Sequence, residues 1–524
     1  MEDQSHIARG VPSALLARGL ACLLAAVLAG GLLGGCRSSS SRFAPSGNPL
    51  LDVRNPELLA RDRVAAAEKA WAEVESGVRV RERTREAFKS LAWSNGTEEP
   101  VRVTLVRLLM SDQTDEGTAD SLTMARLMLP TERSPVMTRL LSETAVARGW
   151  DETLPSLVRS YARSSTVIRD ADRPERSAIA ALRPDMSVED TIYGVFLRPF
   201  AASGEREGAV LRTEDRTRDD AWTLLSRLDQ DGRIRAKLIG EPVPTDADAG
   251  SAADVETLRA GLRDLRALPK TGEELAWLRR LHRHPDAELR ARNAAWWAET
   301  ASVIAGLSQE QQRGLELRHA EAIRWAAASR PSWIDLSRSA ALDLLADRLR
   351  GRSQVRRDAA RGQRPRLEKL SDWADQMSWG DTLVVLVVDE ALASRSARTG
   401  LWSQVELDRR DTTTEYGGVL EFDPEGEPRV VLFRPRARDR LSDDMFVASG
   451  DMIRFSDLAL AHYHMQVQKV RMGRQAGPSD GDMLYAAASG RTCLVFTSVA
   501  SDGLNADLYT PSGEVLDLGV LTRP

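Results

Sequence analysis

Cysteine is scarce in this chain: three residues in 524, at positions 22, 36 and 493. So few thiols exclude a disulfide framework and any Cys-x-x-Cys zinc or redox motif. Histidine is nearly as rare, with six residues, none of them in a His-Glu-x-x-His pattern. No Gly-x-x-x-x-Gly-Lys-Ser/Thr phosphate loop occurs, which removes the commonest nucleotide-binding signature. Basic charge is not in excess either: 72 Lys and Arg stand against 77 Asp and Glu, a formal net charge of −5. That balance lacks the footprint of a nucleic-acid binder, and no nucleic-acid partner is expected. Beyond the N-terminus there is no second apolar run of about 18 residues, so no further spanning helix is expected.

What is present begins with an N-terminal signal. Arg9 and Arg18 precede the apolar stretch "GLACLLAAVLAGGLLGG", which is short and glycine-rich for a spanning helix. It ends in Leu33-Gly34-Gly35-Cys36, which resembles the lipobox of bacterial lipoproteins. The resemblance implies a signal peptide over residues 1–36, lipidation at Cys36 and a polar tether over 37–54. It also implies a protein of the bacterial cell envelope, held to a membrane (the outer membrane first) and facing the periplasm or the surface. A plain secretory signal or an N-terminal anchor helix is the alternative.

Residues 55–239 read as amphipathic helices. Segments such as "EPVRVTLVRLLMSD" and "SPVMTRLLSETAVARGW" repeat apolar residues at three- and four-residue steps, with Pro, Gly or Asp at the breaks. Residues 240–254, "GEPVPTDADAGSAAD" with its first glycine, read as a linker. A second helical block covers 255–350, in which "EELAWLRRLHRHPDAELRARNAAWWAE" resembles a HEAT-type repeat. The expected architecture here is helical-repeat or solenoid-like, a surface able to bind another protein. Trp296 and Trp297 are expected to pack between repeats. Residues 351–377 form an Arg-rich connector; "RLRGRSQVRRDAARGQRPR" holds eight arginines in 19 residues. It reads as a solvated link between domains, with an anionic-lipid patch as the alternative.

From 378 to 524 the period changes, and the segment reads as a mixed α+β domain. "TLVVLVVD" is expected as a buried strand. "GGVLEFDPEGEPRVVLFRP" reads as a hairpin, "LALAHYHM" as a strand, "SDGDMLYAAASG" as a helix with a glycine stop, and three strands follow. In a strand, residues i and i+2 project from one face about 6.5–7 Å apart, so His462 and His464 can grip one zinc ion. A third ligand is needed, and Asp482 follows 18 residues after His464. Ser479-x-x-Asp482 is equally a helix-capping pattern. Glu415, just before the hairpin, is a carboxylate able to exchange a proton with a bound water.

Glu-x-Gly-Gly-x-Leu, then His-x-His closing a strand, then Pro-Ser-x-x-Asp opening a helix, resembles the JAMM metallopeptidases of the MPN-domain family. The likeness covers about residues 378–524. It implies an MPN-like fold, one zinc ion on His462, His464 and Asp482, Glu415 as general base and Ser479 as oxyanion stabiliser. It also implies cleavage of peptide or isopeptide bonds in a protein or peptide substrate. Met465 stands where the family usually has proline. The 14 residues between His464 and Ser479 exceed the usual spacing, and they could bring Lys469, Arg471 and Arg474 over the site. Two alternatives remain open: a catalytically silent adaptor on a helical scaffold, and an unrelated α+β binding module. A decoy, His282-x-His284-Pro, falls in a helix-patterned stretch, where i and i+2 diverge by about 200° and cannot share an ion.

Overall fold

The computed structural model describes residues 44–163, 168–199, 207–355, 368–440, 442 and 445–524. The lipobox with Cys36 lies outside the described residues, as does 356–367, most of the arginine-rich connector. Among the described residues no helix is long and apolar enough to cross a membrane. The chain divides into two compact units, Met1–Ser121 and Leu122–Pro524.

The first unit is helical. Asn48 caps the helix Pro49–Arg54, and the helices Ala60–Glu75, Arg81–Ala92 and Glu99–Ser111 follow. Trp71 stacks on Phe88 at 5.9 Å, and Val101, Leu105 and Leu109 present the apolar stripe that the sequence spacing predicts.

The second unit is helical up to Asp408 and then turns to a sheet, so a helical region precedes a C-terminal α+β domain as expected. Its helices carry their own start and stop signals. Ser134 caps a helix with proline at its first turn and Gly149 ends it in the left-handed region at φ 63°. Residues 240–254 are only partly the expected linker. Asp248 accepts the N–H groups of Gly250 and Ser251, and the helix Ala249–Leu265 starts inside that stretch. Thr271 and Glu274 form a capping box at the head of Gly272–Arg283. Trp296 and Trp297 are buried as expected, their indole N–H groups donating to Glu321 at 2.6 Å and Asp264 at 3.1 Å. His282 closes on Thr257 at 3.0 Å while His284 lies past the helix end, so this pair is structural.

One expected element is corrected. "TLVVLVVD" is not a strand but the interior of the helix Trp379–Ala393. Ser378 and Asp381 exchange capping hydrogen bonds of 3.1 and 2.7 Å at its start. The helix is then buried on almost every side, which removes the amphipathic period that would have marked it. Tertiary burial has overridden the strand preference of valine.

The sheet has the order β2-β1-β3-β4-β5-β6, with β1 Gly417–Phe422, β2 Pro428–Phe433, β3 Ala461–Gln466, β4 Cys493–Ala500, β5 Gly503–Tyr509 and β6 Val515–Thr522. Every pairing is antiparallel except β3 with β4, which are joined by the crossover helix Asp480–Ser489. On one face Cys493, Val495, Tyr509 and Val515 pack against that helix through Ala486, with Met483 and Tyr485 beside it. On the other face Tyr463 meets Phe496 edge-on and bonds Gln404 of the helix Arg395–Asp408.

Candidate functional site

The pleat of β3 puts His462 and His464 on the face covered by the crossover helix, with Tyr463 opposite. In the β1–β3 ladder Gly417 faces His464 and Val419 faces His462. Glu415 lies two residues before Gly417, just outside that ladder. The bond from Met465 N–H to the Tyr416 carbonyl, 2.9 Å, carries the pairing to that end. The two glycines of "EYGGVL" have a steric reason. A Cβ at Gly417 would lie 2.6 Å from the Phe446 ring, and one at Gly418 would lie 1.9 Å from the Val431 carbonyl oxygen.

The crossover helix supplies the carboxylate. Ser479 caps it, its hydroxyl accepting the Asp482 N–H at 3.3 Å while Asp482 Oδ2 accepts the Ser479 N–H at 2.7 Å. Gly490, at φ 69°, ends it. The capping contact fixes Asp482, and its other oxygen, Oδ1, lies 3.6 Å from His464 Nε2. One turn on, the Tyr485 hydroxyl bonds His462 Nδ1 at 2.7 Å. The remaining ring nitrogen of His462, Nε2, is buried with no hydrogen-bond partner.

These groups surround one small cavity of about 60 Å³, lined among others by Phe446, His462, His464, Asp482, Tyr485 and Cys493. It is narrow and its histidines are deeply buried, His462 and His464 being only 3% and 4% exposed, whereas the Asp482 side chain keeps 21% of its surface. The Phe446 ring lies parallel to that of His464, 6.1 Å away. Burial, helped by the nearby Arg491 guanidinium, holds the His462 imidazole well below its ordinary pKa. Burial lowers His464 too, against the opposing pull of Asp482. Both shifts favour the neutral ring, the form that a metal ion accepts. Burial also pushes the Cys493 thiol up, keeping it protonated.

The predicted site residues divide accordingly. His462, His464 and Asp482 come together around the cavity, whereas Glu415 and Ser479 do not line it. Among the described residues no group of three or more His, Cys, Asp or Glu is drawn together as a ready ligand set. The donor set fits zinc in part. A tetrahedral ion with arms of about 2.0–2.1 Å separates its ligand atoms by roughly 3.3 Å, close to the His464–Asp482 gap. The orphaned Nε2 of His462 is the third donor of the right kind.

Lys469, Arg471 and Arg474 are exposed but do not line the cavity. Their loop packs along the end of β4, where Met472 N–H meets the Ser498 carbonyl at 2.7 Å and Ser498 Oγ meets the Val470 carbonyl at 3.0 Å.

Sequence reading did not assign Phe446 or Tyr485 to the site. Tyr485 lies three residues after Asp482, on the same face of the helix, and that spacing was its signal. Gly477-Pro478-Ser479-Asp480-Gly481 also has the spacing of a serine-nucleophile turn. Its serine instead caps the helix and stands outside the cavity. No protein-family model, curated protein or solved structure matches this chain.

Proposed function

We propose that the C-terminal domain is a zinc-dependent peptidase of the JAMM type, with His462, His464 and Asp482 as ligands to one ion. The observation that carries this reading is the buried, unpartnered Nε2 of His462 beside a His464–Asp482 pair at 3.6 Å, around a common cavity. A bound zinc ion would supply a water acidified toward a pKa of about 7. Glu415, just before β1, would take the proton and return it to the leaving amine. The Ser479 hydroxyl accepts a backbone N–H and still has its own proton to donate, as oxyanion stabilisation requires. The resemblance in "EYGGVL", "HYH" and "PSDGD" supports the same assignment. The substrate class is a protein or peptide.

The experiment is metal analysis of the full chain, apo and zinc-loaded, with turnover of a quenched fluorescent peptide library. About one tightly bound zinc per chain is expected, lost in His462→Ala and Asp482→Ala. Glu415→Gln should keep the ion and lose turnover. A chain that takes up no zinc sinks the reading.

The second reading is an adaptor: an inactive MPN-like domain on a helical scaffold that binds partner proteins. The small volume of the cavity, about 60 Å³, favours it, because a peptide backbone does not fit inside without a rearrangement of the walls. Zinc uptake without turnover in every assay would select it.

We further propose anchoring at a bacterial envelope membrane through lipidated Cys36, which rests on the lipobox alone. Cys36→Ser should block processing or release the protein from the membrane fraction. Unchanged migration and fractionation would exclude lipidation.

A further inference from the structure

We infer that Tyr485 is a positioning residue of the cavity, its hydroxyl holding Nδ1 of His462 so that Nε2 is the ring atom left for a metal ion. The inference rests on the zinc reading above and identifies what prepares one arm of that site. Its geometry is local and specific. The hydroxyl lies 2.7 Å from Nδ1, and the two rings are tilted by 33° with centroids 6.0 Å apart.

The spacing of two elements produces it. His462 and His464 stand at i and i+2 on a strand, while Asp482 and Tyr485 stand at i and i+3 on the helix above. Both pairs face the same gap, so one helix face meets both imidazoles. The carboxylate takes His464 and the phenol takes His462. The capping box at Ser479 fixes where that helix begins, and therefore which residues arrive over the histidines.

A neutral imidazole carries one proton, on either nitrogen. With the proton on Nδ1, that N–H donates to the Tyr485 oxygen and Nε2 offers a lone pair to the cavity. With the proton on Nε2, a buried donor is left without an acceptor, since no protein group bonds that atom. Only the first arrangement can ligate an ion through Nε2. Histidine ligands to metals are commonly held by a carboxylate or a carbonyl on the other nitrogen. A phenol would do the same work here without adding negative charge.

The test uses the full chain with ¹⁵N-histidine labelling and zinc titration of wild type and Tyr485→Phe. Wild type should show His462 protonated at Nδ1 and metallated at Nε2. Tyr485→Phe keeps the ring and loses the hydroxyl, so zinc affinity should fall roughly 10–100-fold. The visible spectrum of the cobalt-substituted protein should shift, a change that a purely structural role would not produce. If wild type binds zinc and the variant matches it in affinity, spectrum and His462 signals, the role of Tyr485 is overturned and the zinc reading stands. Zinc bound through Nδ1 of His462 in wild type overturns it equally, whether or not the variant folds. If wild type binds no zinc, the zinc reading falls and this inference with it.

Discussion

The rings of Phe446 and His464 lie parallel, with 4° between their planes and 6.1 Å between centroids, and the same phenyl ring occupies the space above Gly417. A glycine on β1, a histidine on β3 and a loop residue thus form one stack, and Phe446 and His464 both line the cavity. The loop side chain is only half-buried. Phe446→Ala should therefore cost about 1–3 kcal/mol, less than a full core truncation. It should also expose His464. Acylation by diethyl pyrocarbonate, followed by peptide mass analysis, should speed up several-fold at His464. Unchanged protection would show that something other than Phe446 seals the site.

Gly418 is the tighter of the two glycines. A methyl group there would meet the Val431 carbonyl at 1.9 Å and the Tyr463 hydroxyl at 2.8 Å. The first contact is with backbone, which cannot swing aside. Gly418→Ala should lose about 2–3 kcal/mol or more, with β1–β2 pairing the first casualty. Denaturant unfolding measures the loss, and hydrogen exchange of the hairpin amides locates it. A variant as stable as wild type would mean that the hairpin shifts register at little cost.

Much of the α+β domain was legible because its signals are local. "DPEGEP" turns the chain between β1 and β2, and Ser479 and Gly490 bracket the crossover helix. The His-x-His alternation was readable for the same reason, since a strand period needs no partner to be seen. "TLVVLVVD" misled because a fully buried helix has no polar face, and an apolar run of that length suits either element. The stacking of Phe446 on His464 was not readable at all. Phe446 reaches His464 through a loop, and loop position carries no periodic trace in the sequence.

Glu274, whose side chain packs at Gly490 where the crossover helix ends, gives a pH prediction. Burial, with Glu316 nearby, raises its pKa from 4.5 to about 7, against the backbone N–H bonds that it accepts at the head of its helix. Between these two values the folded chain still holds a proton that the unfolded chain has released. Stability therefore falls as pH rises across that window, and this contribution is flat above about 7. The whole effect is roughly 3 kcal/mol. Glu274→Gln keeps an acceptor oxygen and removes the titration. Its stability relative to wild type should rise between pH 4.5 and 7, as read by urea unfolding at several pH values. Parallel profiles for the two proteins would exclude Glu274 as the source.

Asp457 joins the helical part of the second unit to its sheet domain. Its carboxylate accepts Arg280 Nε at 2.8 Å and lies 3.9 Å from Arg491 Nη2, while its carbonyl accepts the Trp277 indole N–H at 2.8 Å. Arg491 in turn stacks on Trp277 at 3.3 Å and donates to the Ser456 carbonyl at 2.5 Å. Asp457 and Arg491 are both buried. Deleting the carboxylate leaves Arg280 and Arg491 without their anion in a poorly solvated junction, a loss of about 3–5 kcal/mol. Asp457→Asn should lose less, because its side-chain oxygen still accepts from Arg280. The junction also couples the two parts. Wild type should melt the helical region and the sheet together, whereas Asp457→Ala should separate them into two calorimetric transitions. A single unshifted transition in Asp457→Ala would mean that apolar contacts alone hold the junction.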